Sequence, residues 1–428
     1  MSNAYDSAEL QKFILVAFGL RMLGAVAYSM MVQYYYGYGD SFTYYGGGQF
    51  FTEQISKDFS SIKYFFASYS EVGEWYNNVE GDIGMSGYIN NPSGSMVMKI
   101  TAIVSYLAFN KFLIIAIFFG LFSFAGQWKL FLVFDDINKQ RNRKLLAFVV
   151  LYSPSIWFWA SGLLKDSLCL GSVGFIVHIL YKFIIRRKFS FIELFVLVFL
   201  IFMVTAIKSY ITAILTVGLV VMLFSIFLKS IKSRILRMLL LFLALAMSGI
   251  LLYVSDFSAQ LKDMAEESVA QIQQFQQNYQ VLQDSEENSR AGFGLGELDP
   301  TISSLVLKSP AVIFTCLFRP FLWESKKIII LFTSLESTLL LLSTLYIMFK
   351  MGIIRFFKTI FITPHLLFCF TITMIFALII GFTTFNFGTM IRYKVIFLPF
   401  YYFLLVNLYS NFLKIKTQPA LNGASLNN

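Results

Sequence analysis

The fold follows from residues 190–228, which read SFIELFVLVFLIFMVTAIKSYITAILTVGLVVMLFSIFL. This stretch holds two apolar runs, 190–207 and 211–228, separated by the three residues 208–210. Each run is about as long as a helix must be to cross the hydrocarbon core of a bilayer. The stretch therefore predicts two membrane-spanning helices joined by a tight turn.

The whole chain has the composition of a membrane protein. Of its 428 residues, 57% are hydrophobic and 14% are charged, and its mean hydropathy is +0.69. These values lie far outside the range of a soluble globular domain. Runs of spanning length predict about ten transmembrane helices. They lie at residues 11–33, 112–134, 145–161, 167–185, 190–207, 211–228, 238–255, 327–349, 362–382 and 395–412.

The predicted fold is an all-α integral membrane protein with a single polytopic domain, residues 1–428. Two larger extracytoplasmic loops are predicted at 37–95 and 256–309, the second with a helical segment. The apolar stretches 96–109 and 310–318 are too short to span and fall just before full spans, so they are candidates for re-entrant or interfacial helices.

Charge predicts the orientation. The segments that share a side with the N-terminus hold more than half of the 34 basic residues but only about a fifth of the 24 acidic ones. By the positive-inside rule both termini are cytoplasmic, in a cell inner or plasma membrane. The net charge of +10 therefore reflects orientation, and no nucleic-acid partner is predicted. The cytoplasmic connections are short and lack a phosphate-binding Gly-Lys-Ser/Thr motif, so a built-in ATPase is not expected.

Asp40 follows the first span, within a segment of tyrosines and glycines at residues 34–45. Tyrosine rings are typical of the aromatic belt at a membrane surface, and glycines permit a tight backbone. The belt does not account for the carboxylate, because a charge at that depth usually has a partner or a function. Asp40 is therefore either an ordinary loop acid or a functional one.

Four further groups of charged or polar residues lie at the predicted outer ends of spans. Each has a structural alternative: a self-neutralising pair, a lysine that reaches the headgroups, an ion pair at an elbow, or a helix terminus. Adjacent residues on a helix do not face each other, so Lys165 and Asp166 are expected to contact different groups. The candidate substrate-binding residues are Lys165, Asp166, Lys208, Arg319, Glu324, Asn386, Arg392 and Lys394.

The predicted topology puts all of these residues on the same face as Asp40. Clustered cations suit a phosphate or pyrophosphate at the membrane surface. A carboxylate beside them would act as general base toward an acceptor hydroxyl, while the cations stabilise a phosphate leaving group. Polyprenyl-phosphate sugars present that chemistry at that depth, which makes Asp40 the candidate catalytic residue.

Several segments together resemble the polytopic glycosyltransferases of the GT-C fold and the related polymerases of surface polysaccharides. They are Gly39-Asp40, the turn 159–166, the elbow 319–324 and residues 386–394. The resemblance implies an inverting transfer from a lipid-phosphate sugar on the outer face. It also implies that the first-loop aspartate is the base and that the arginines of the last two segments hold the donor.

One departure from that family concerns metal binding. Many members carry a second acid close to the first, whereas the next acid after Asp40 in this chain is Glu53. No metal ligand is assigned, metal dependence is left open, and no other cofactor is predicted. Cys169, Cys316 and Cys369 show no paired spacing and are predicted to be packing residues.

The leading hypothesis is a glycosyltransferase or glycan polymerase for cell-surface polysaccharide. Its expected partners are the lipid bilayer, a lipid-linked sugar donor and a glycan acceptor. One alternative is a transporter or flippase of a lipid-linked oligosaccharide or another anion. A second alternative is a non-catalytic membrane subunit of an envelope assembly complex.

Overall fold

The computed structural model describes residues 2–79, 83–139, 141–231, 233, 274, 302–325, 328–384 and 386–424. The predicted span 238–255 and most of the predicted loop 256–309 lie outside these residues. The described chain is helical, with turns and short loops between helices, and it forms two compact units, Met1–Ala213 and Ile214–Asn428. Among the described residues the prediction of a helical protein is confirmed, and several of the helices are long and apolar enough to cross a membrane.

The first unit starts with a long helix that continues as a π-helical segment, Met31–Tyr36. Its helices are α1 Ser2–Met30, α2 Asp40–Lys57, α3 Tyr69–Val79, α4 Ile83–Ile89, α5 Pro92–Leu107, α6 Phe112–Ile137, α7 Arg143–Leu151, α8 Pro154–Trp159 and α9 Lys165–Ile184. A 3₁₀ segment, Phe59–Phe65, follows α2. The next helix, α10 Phe191–Ser230, runs from the first unit into the second.

The described helices of the second unit follow residue 301. They are α11 Ile302–Phe318, α12 Ile328–Met351, α13 Ile353–Ile362, α14 Pro364–Thr383, α15 Phe387–Lys394 and α16 Leu398–Ala424. A short 3₁₀ turn, Leu322–Glu324, lies between α11 and α12.

Six described helices are long and apolar enough to cross a membrane. They are Ala8–Tyr36, Phe112–Ile137, Lys165–Ile184, Phe191–Ser230, Ile330–Met351 and Pro364–Thr383. A seventh candidate is the pair Phe387–Lys394 and Leu398–Leu413, bent by 63°. The number differs from the predicted ten because one predicted span is not described, two form the single helix α10, and one is broken.

The broken span is the one predicted at 145–161. α7 ends at Leu151, and α8 begins at Pro154. Proline has no N–H to donate to the preceding turn and disfavours helical geometry in the residue before it. Ser153 is accordingly non-helical, at φ −54° and ψ 123°. Hydropathy did not reveal the break because the residues on both sides of Pro154 are apolar.

The predicted turn between the fifth and sixth spans corresponds to an interruption in α10. Lys208 has non-helical angles, φ −148° and ψ 84°. Across it, the hydroxyl oxygens of Thr205 and Thr212 lie 2.9 Å apart. Seven residues of straight helix rise about 10.5 Å, which is farther than two threonine side chains reach. The chain therefore bends sharply at Lys208, and the separation of two spans at this point stays a prediction.

The predicted first outer loop, residues 37–95, is mostly helical. Its core is aromatic: the ring of Phe50 lies 4.7 Å from Trp75 and 4.9 Å from Tyr76, and Phe51 lies 5.4 Å from Trp75, measured between ring centroids. Such aromatic pairs stabilise beyond the area they bury. These residues build a small folded layer of helices, whereas the sequence predicted an extracytoplasmic loop and no helices within it.

Both predicted short apolar stretches belong to longer helices, except that residues 108 and 109 follow the end of α5. The stretch 96–109 belongs to α5, which Asn91 caps by accepting a hydrogen bond from the N–H of Ser93, with Pro92 in the first turn. The stretch 310–318 is the second half of α11, whose apolar part, Ser304–Phe318, is shorter than a span. Asparagine caps and an N-terminal proline are the usual start of a helix.

In the first unit α6 and α9 cross at glycines. A Cβ on Gly126 would lie 1.9 Å from the carbonyl oxygen of Gly171, and one on Gly174 would lie 2.0 Å from the carbonyl oxygen of Gly126. Small residues allow membrane helices to approach this closely. This contact sets the distance between α6 and α9, and α9 carries the candidate site residues Lys165 and Asp166 at its start.

Arg21 lies within the first span and is fully buried in protein. Its guanidinium donates to the carbonyl oxygens of Ile156 (3.2 Å) and Ala160 (2.7 Å) near the end of α8, and to the side-chain oxygen of Gln127. Carbonyl groups at a helix C-terminus carry partial negative charge and suit a cation. Arg21 therefore joins α1, α6 and α8.

Candidate functional site

Ion pairs in the first unit gather at the ends of its long helices. At one end Arg143 pairs with Glu9 (3.4 Å) and Asp135 (2.8 Å), and Arg186 pairs with Asp136. These contacts confirm that the N-terminus and the basic segments near 143 and 186 share one end. We call it the Glu9 end; the side of the membrane that it faces stays a prediction.

The opposite end of these helices carries four of the candidate site residues. Asp40 follows the π-helical end of the first span, Lys165 and Asp166 begin α9, and Lys208 lies at the interruption of α10. We call this the Asp40 end. The sequence predicted that these four charged residues lie on one side of the membrane, and in the first unit they lie at the same end of the helices.

Asp40 is the first residue of α2 and is half-buried. The chain reaches it through Gly37 and Gly39, whose φ angles of 70° and 122° are unfavourable for other residues. The phenol of Tyr88 donates to Oδ1 of Asp40 at 2.8 Å. A carboxylate at a helix N-terminus also interacts favourably with the helix dipole. The backbone, a tyrosine and the dipole thus hold the carboxylate in place.

Lys165 faces the same region as Asp40. Its Nζ donates to Oγ of Ser93 at 2.7 Å and lies 5.7 Å from the ring centroid of Tyr44, within the range of a cation–π contact. Its charged neighbours are Asp40, Lys208 and Asp166. Lys165 is half-buried and is tied to a neutral hydroxyl.

Asp166 turns away from Lys165 and pairs with Lys208. The Oδ1–Nζ distance is 2.6 Å, and the side chains of Asp166 and Lys208 are 0% and 8% exposed. The expectation that Lys165 and Asp166 contact different groups is confirmed. A buried ion pair of this kind fixes geometry, because removal of one partner would leave the other charge buried without its ion-pair partner.

Contacts from neighbouring segments support the start of α2. Oγ of Ser41 donates to the carbonyl oxygen of Leu163 at 3.0 Å, just before α9. The ring of Tyr28 packs on Gly162, where a Cβ would lie 2.0 Å from a ring carbon. These contacts tie Asp40 to the segment that presents Lys165.

Sequence analysis did not identify three residues that contact Asp40 or Lys165 at this end: Tyr44, Tyr88 and Ser93. Tyr88 lies 48 residues from Asp40, and Ser93 lies 72 residues from Lys165. No local pattern marks such pairs. The only available signal was the Asn91-Pro92 helix start, which places Ser93 in the first turn of α5.

In the second unit Arg319 and Glu324 form a bidentate pair. Nε of Arg319 lies 3.0 Å and 3.1 Å from the two carboxylate oxygens, and the guanidinium carbon lies 5.3 Å from the ring centroid of Phe387. Burial acts to raise the pKa of Glu324, but hydrogen bonds from Arg319 and the N–H of Phe321, with the charge of Arg319, hold that pKa below its usual value. Of the two predicted possibilities, pairing or separate contact with a ligand, the structure shows pairing.

Lys394 is buried, with 1% of its surface exposed. Its Nζ donates to the carbonyl oxygen of Arg319 (2.9 Å), to Oγ of Ser337 (3.1 Å) and, at 3.5 Å, to the carbonyl oxygen of Cys316. These carbonyls belong to the end of α11, so Lys394 satisfies backbone groups that a helix terminus leaves unpaired. Its predicted contact with substrate stays a prediction.

Asn386 and Arg392 lie at opposite ends of α15. The side chain of Asn386 accepts a hydrogen bond from the N–H of Gly388 at 2.7 Å and caps the helix. Arg392 is half-buried in the last turn, together with Lys394. The sequence predicted that Arg392 and Lys394 stand where a helix begins. In the structure they lie in the last turn of the short helix α15, just before α16. The reason is the capping signal at Asn386, which starts a helix earlier than hydropathy does.

Within the part of the chain that the structure describes, no group of three or more His, Cys, Asp or Glu side chains could hold a metal ion. The cysteines Cys169, Cys316 and Cys369 are buried and free. Compared with known proteins, the chain matches no family model, no curated protein and no solved structure.

Proposed function

We propose that this chain is an integral membrane glycosyltransferase or glycan polymerase that takes its sugar from a polyprenyl-phosphate donor. The observation that carries the proposal is the meeting of Asp40, Lys165, Asp166 and Lys208 at one end of the first unit. This end combines a held, half-buried carboxylate with cations near a membrane surface. The resemblance of the segments around these residues to GT-C enzymes supports the same assignment.

Asp40 is the proposed general base. Its carboxylate takes the proton of an acceptor hydroxyl while that oxygen attacks the anomeric carbon of the donor sugar. The bond from the anomeric carbon to the phosphate oxygen breaks, polyprenyl phosphate leaves with the electron pair, and the configuration inverts. A carboxylate offers about four lone-pair sites, so the hydrogen bond from Tyr88 is compatible with accepting a substrate hydroxyl.

Lys165 is proposed to stabilise the leaving phosphate. An ammonium group has three donors, and its described hydrogen bond goes to the neutral hydroxyl of Ser93. Placing a cation where charge develops is a large contribution to catalysis in a site of low dielectric. Lys208 is held by Asp166 and adds positive potential beside Lys165. Arg319 and Arg392 stay predicted donor ligands.

The depth of the cluster favours surface chemistry over transport. From Phe191 to Lys208 the first arm of α10 has about 18 residues, or about 27 Å of helix, close to the thickness of the hydrocarbon core. Asp166 likewise lies at the start of the span α9. Transporter sites typically lie near the bilayer midplane, between broken helices. A pair at the ends of spans fits a reaction at the membrane surface better.

The test is an activity assay with the full chain in proteoliposomes. Lipid-linked sugars extracted from a glycan-producing bacterial membrane are supplied with glycan acceptors, and released polyprenyl phosphate is measured by mass spectrometry. We expect release that depends on both the protein and the acceptor. Movement of intact lipid-linked sugar across the bilayer without release would support the transport alternative. Absence of both, with binding to other envelope proteins, would support the subunit alternative.

A further inference from the structure

A short helix in the second unit has no role in the proposed reaction. α13, Ile353–Ile362, links the spans α12 and α14. It begins after Gly352, whose φ of 79° allows a sharp change of direction, and ends at Thr363, just before Pro364. With ten residues it is too short to span a bilayer.

The side chains of α13 divide into three sides. Phe356 and Ile360, four residues apart, are buried against the protein. A second side is apolar and exposed: Ile354 is 85% exposed and Phe361 55%. Residues three and four apart share a helix face, so Phe357 joins this exposed apolar side.

The third side carries two cations beside the exposed Ile362. Arg355 and Lys358 are exposed and lie three residues apart, so their side chains are neighbours on the helix surface. Among the residues that the structure describes, neither has an acidic side chain within ion-pair distance. The sequence therefore puts two cations beside an exposed apolar side, a pattern typical of helices that lie in the plane of a membrane surface.

The exposed apolar side also continues the surface of the preceding span. Phe349, near the end of α12, is 73% exposed and is followed by the exposed Ile353 and Ile354. On a spanning helix such residues face lipid tails. Lipid can therefore cover both the exposed side of α12 and the exposed apolar side of α13. Long basic side chains reach from the apolar boundary to the headgroups.

We propose that α13 lies in the plane of the membrane surface, with its apolar side in the acyl boundary, and that Arg355 and Lys358 bind the phosphates of anionic phospholipids. This site is separate from the proposed catalytic residues. Its ligand is the bilayer leaflet itself, and the two charges give it a preference for anionic over zwitterionic headgroups.

The depth of α13 can be measured on the full chain in nanodiscs. The three native cysteines are buried, so a thiol spin label attaches to a cysteine introduced by Ile354→Cys, or by Phe361→Cys if the first variant does not fold. Collisions with membrane-soluble oxygen and with a water-soluble nickel complex report the depth. We expect the label at either position to prefer oxygen and a label at Thr359→Cys, on the polar side, to prefer nickel. A nickel preference at 354 or 361 overturns the proposal, as does shielding from both reagents, which would indicate a protein partner.

The lipid preference is tested with spin-labelled phosphatidylglycerol and phosphatidylcholine. The motionally restricted fraction of each lipid is measured for the unchanged protein, for R355Q/K358Q and for the charge-conserving control R355K/K358R. We expect the preference for phosphatidylglycerol to fall by about fivefold for each cation removed and to persist in the control. An unchanged preference in R355Q/K358Q contradicts the headgroup contact.

Discussion

Lys165 and Asp166 are neighbours in the chain but contact different parts of the first unit, Lys165 the hydroxyl of Ser93 and Asp166 the ammonium of Lys208. Helix geometry predicted this divergence, because adjacent positions point about 100° apart. The partners themselves were not predictable, since they come from distant segments without a shared local pattern. Local rules thus predict the direction of a side chain, and long-range packing determines what it meets.

The buried pair of Asp166 and Lys208 allows a prediction about stability. Lys208→Met leaves Asp166 charged and fully buried, so we expect a loss of about 3–5 kcal/mol in the free energy of unfolding. The double variant Lys208→Met/Asp166→Leu removes both charges and is expected to recover most of that loss. Unfolding in detergent measures the free energy of unfolding of the single and the double variant. Equal stability of Lys208→Met and the unchanged protein would show that the pair is not desolvated.

Among the helices, hydropathy predicted the long spans well and the short elements poorly. Runs of spanning length correspond to α1, α6, α9, α12 and α14, and the polar turn at Lys208 marks a real interruption. The helices α2, α3 and α4 were missed, and the span 145–161 was predicted without the break before Pro154. Their signals are a single proline, helix caps and aromatic contacts, which a measure of average polarity does not register.

The crossing of α6 and α9 gives a prediction for these elements. Gly126→Ala would place a methyl group 1.9 Å from the carbonyl oxygen of Gly171, so the helices must separate, and overpacking of this kind costs about 1–3 kcal/mol. The matched control is Gly19→Ala in α1, where a Cβ meets nothing within 4 Å. The control is expected to be neutral or stabilising, because alanine favours helices. Similar thermal unfolding of the two variants would contradict the tight crossing.

At the scale of the whole chain, the charged segments of the first unit are sorted between the two ends of its long helices. Basic segments predicted to share the side of the N-terminus meet at the Glu9 end through Arg143 and Arg186, and the candidate site residues of this unit lie at the other end. The positive-inside rule made the grouping predictable, because it assigns whole segments to sides. The rule contains no information on which side chains of an end will touch. The contacts around Asp40 could therefore be identified only from the structure.

The central claim, that Asp40 is the base of a glycosyl transfer, is tested most directly by one comparison. Polyprenyl phosphate released in proteoliposomes is measured for Asp40→Asn and for Glu53→Gln, which makes the same charge change at an exposed position of the same helix. Loss of a general base predicts a rate about 10²- to 10⁴-fold lower for Asp40→Asn, with normal accumulation in the membrane. Glu53→Gln is expected to retain full activity. Equal rates for the two variants would contradict the catalytic role of Asp40.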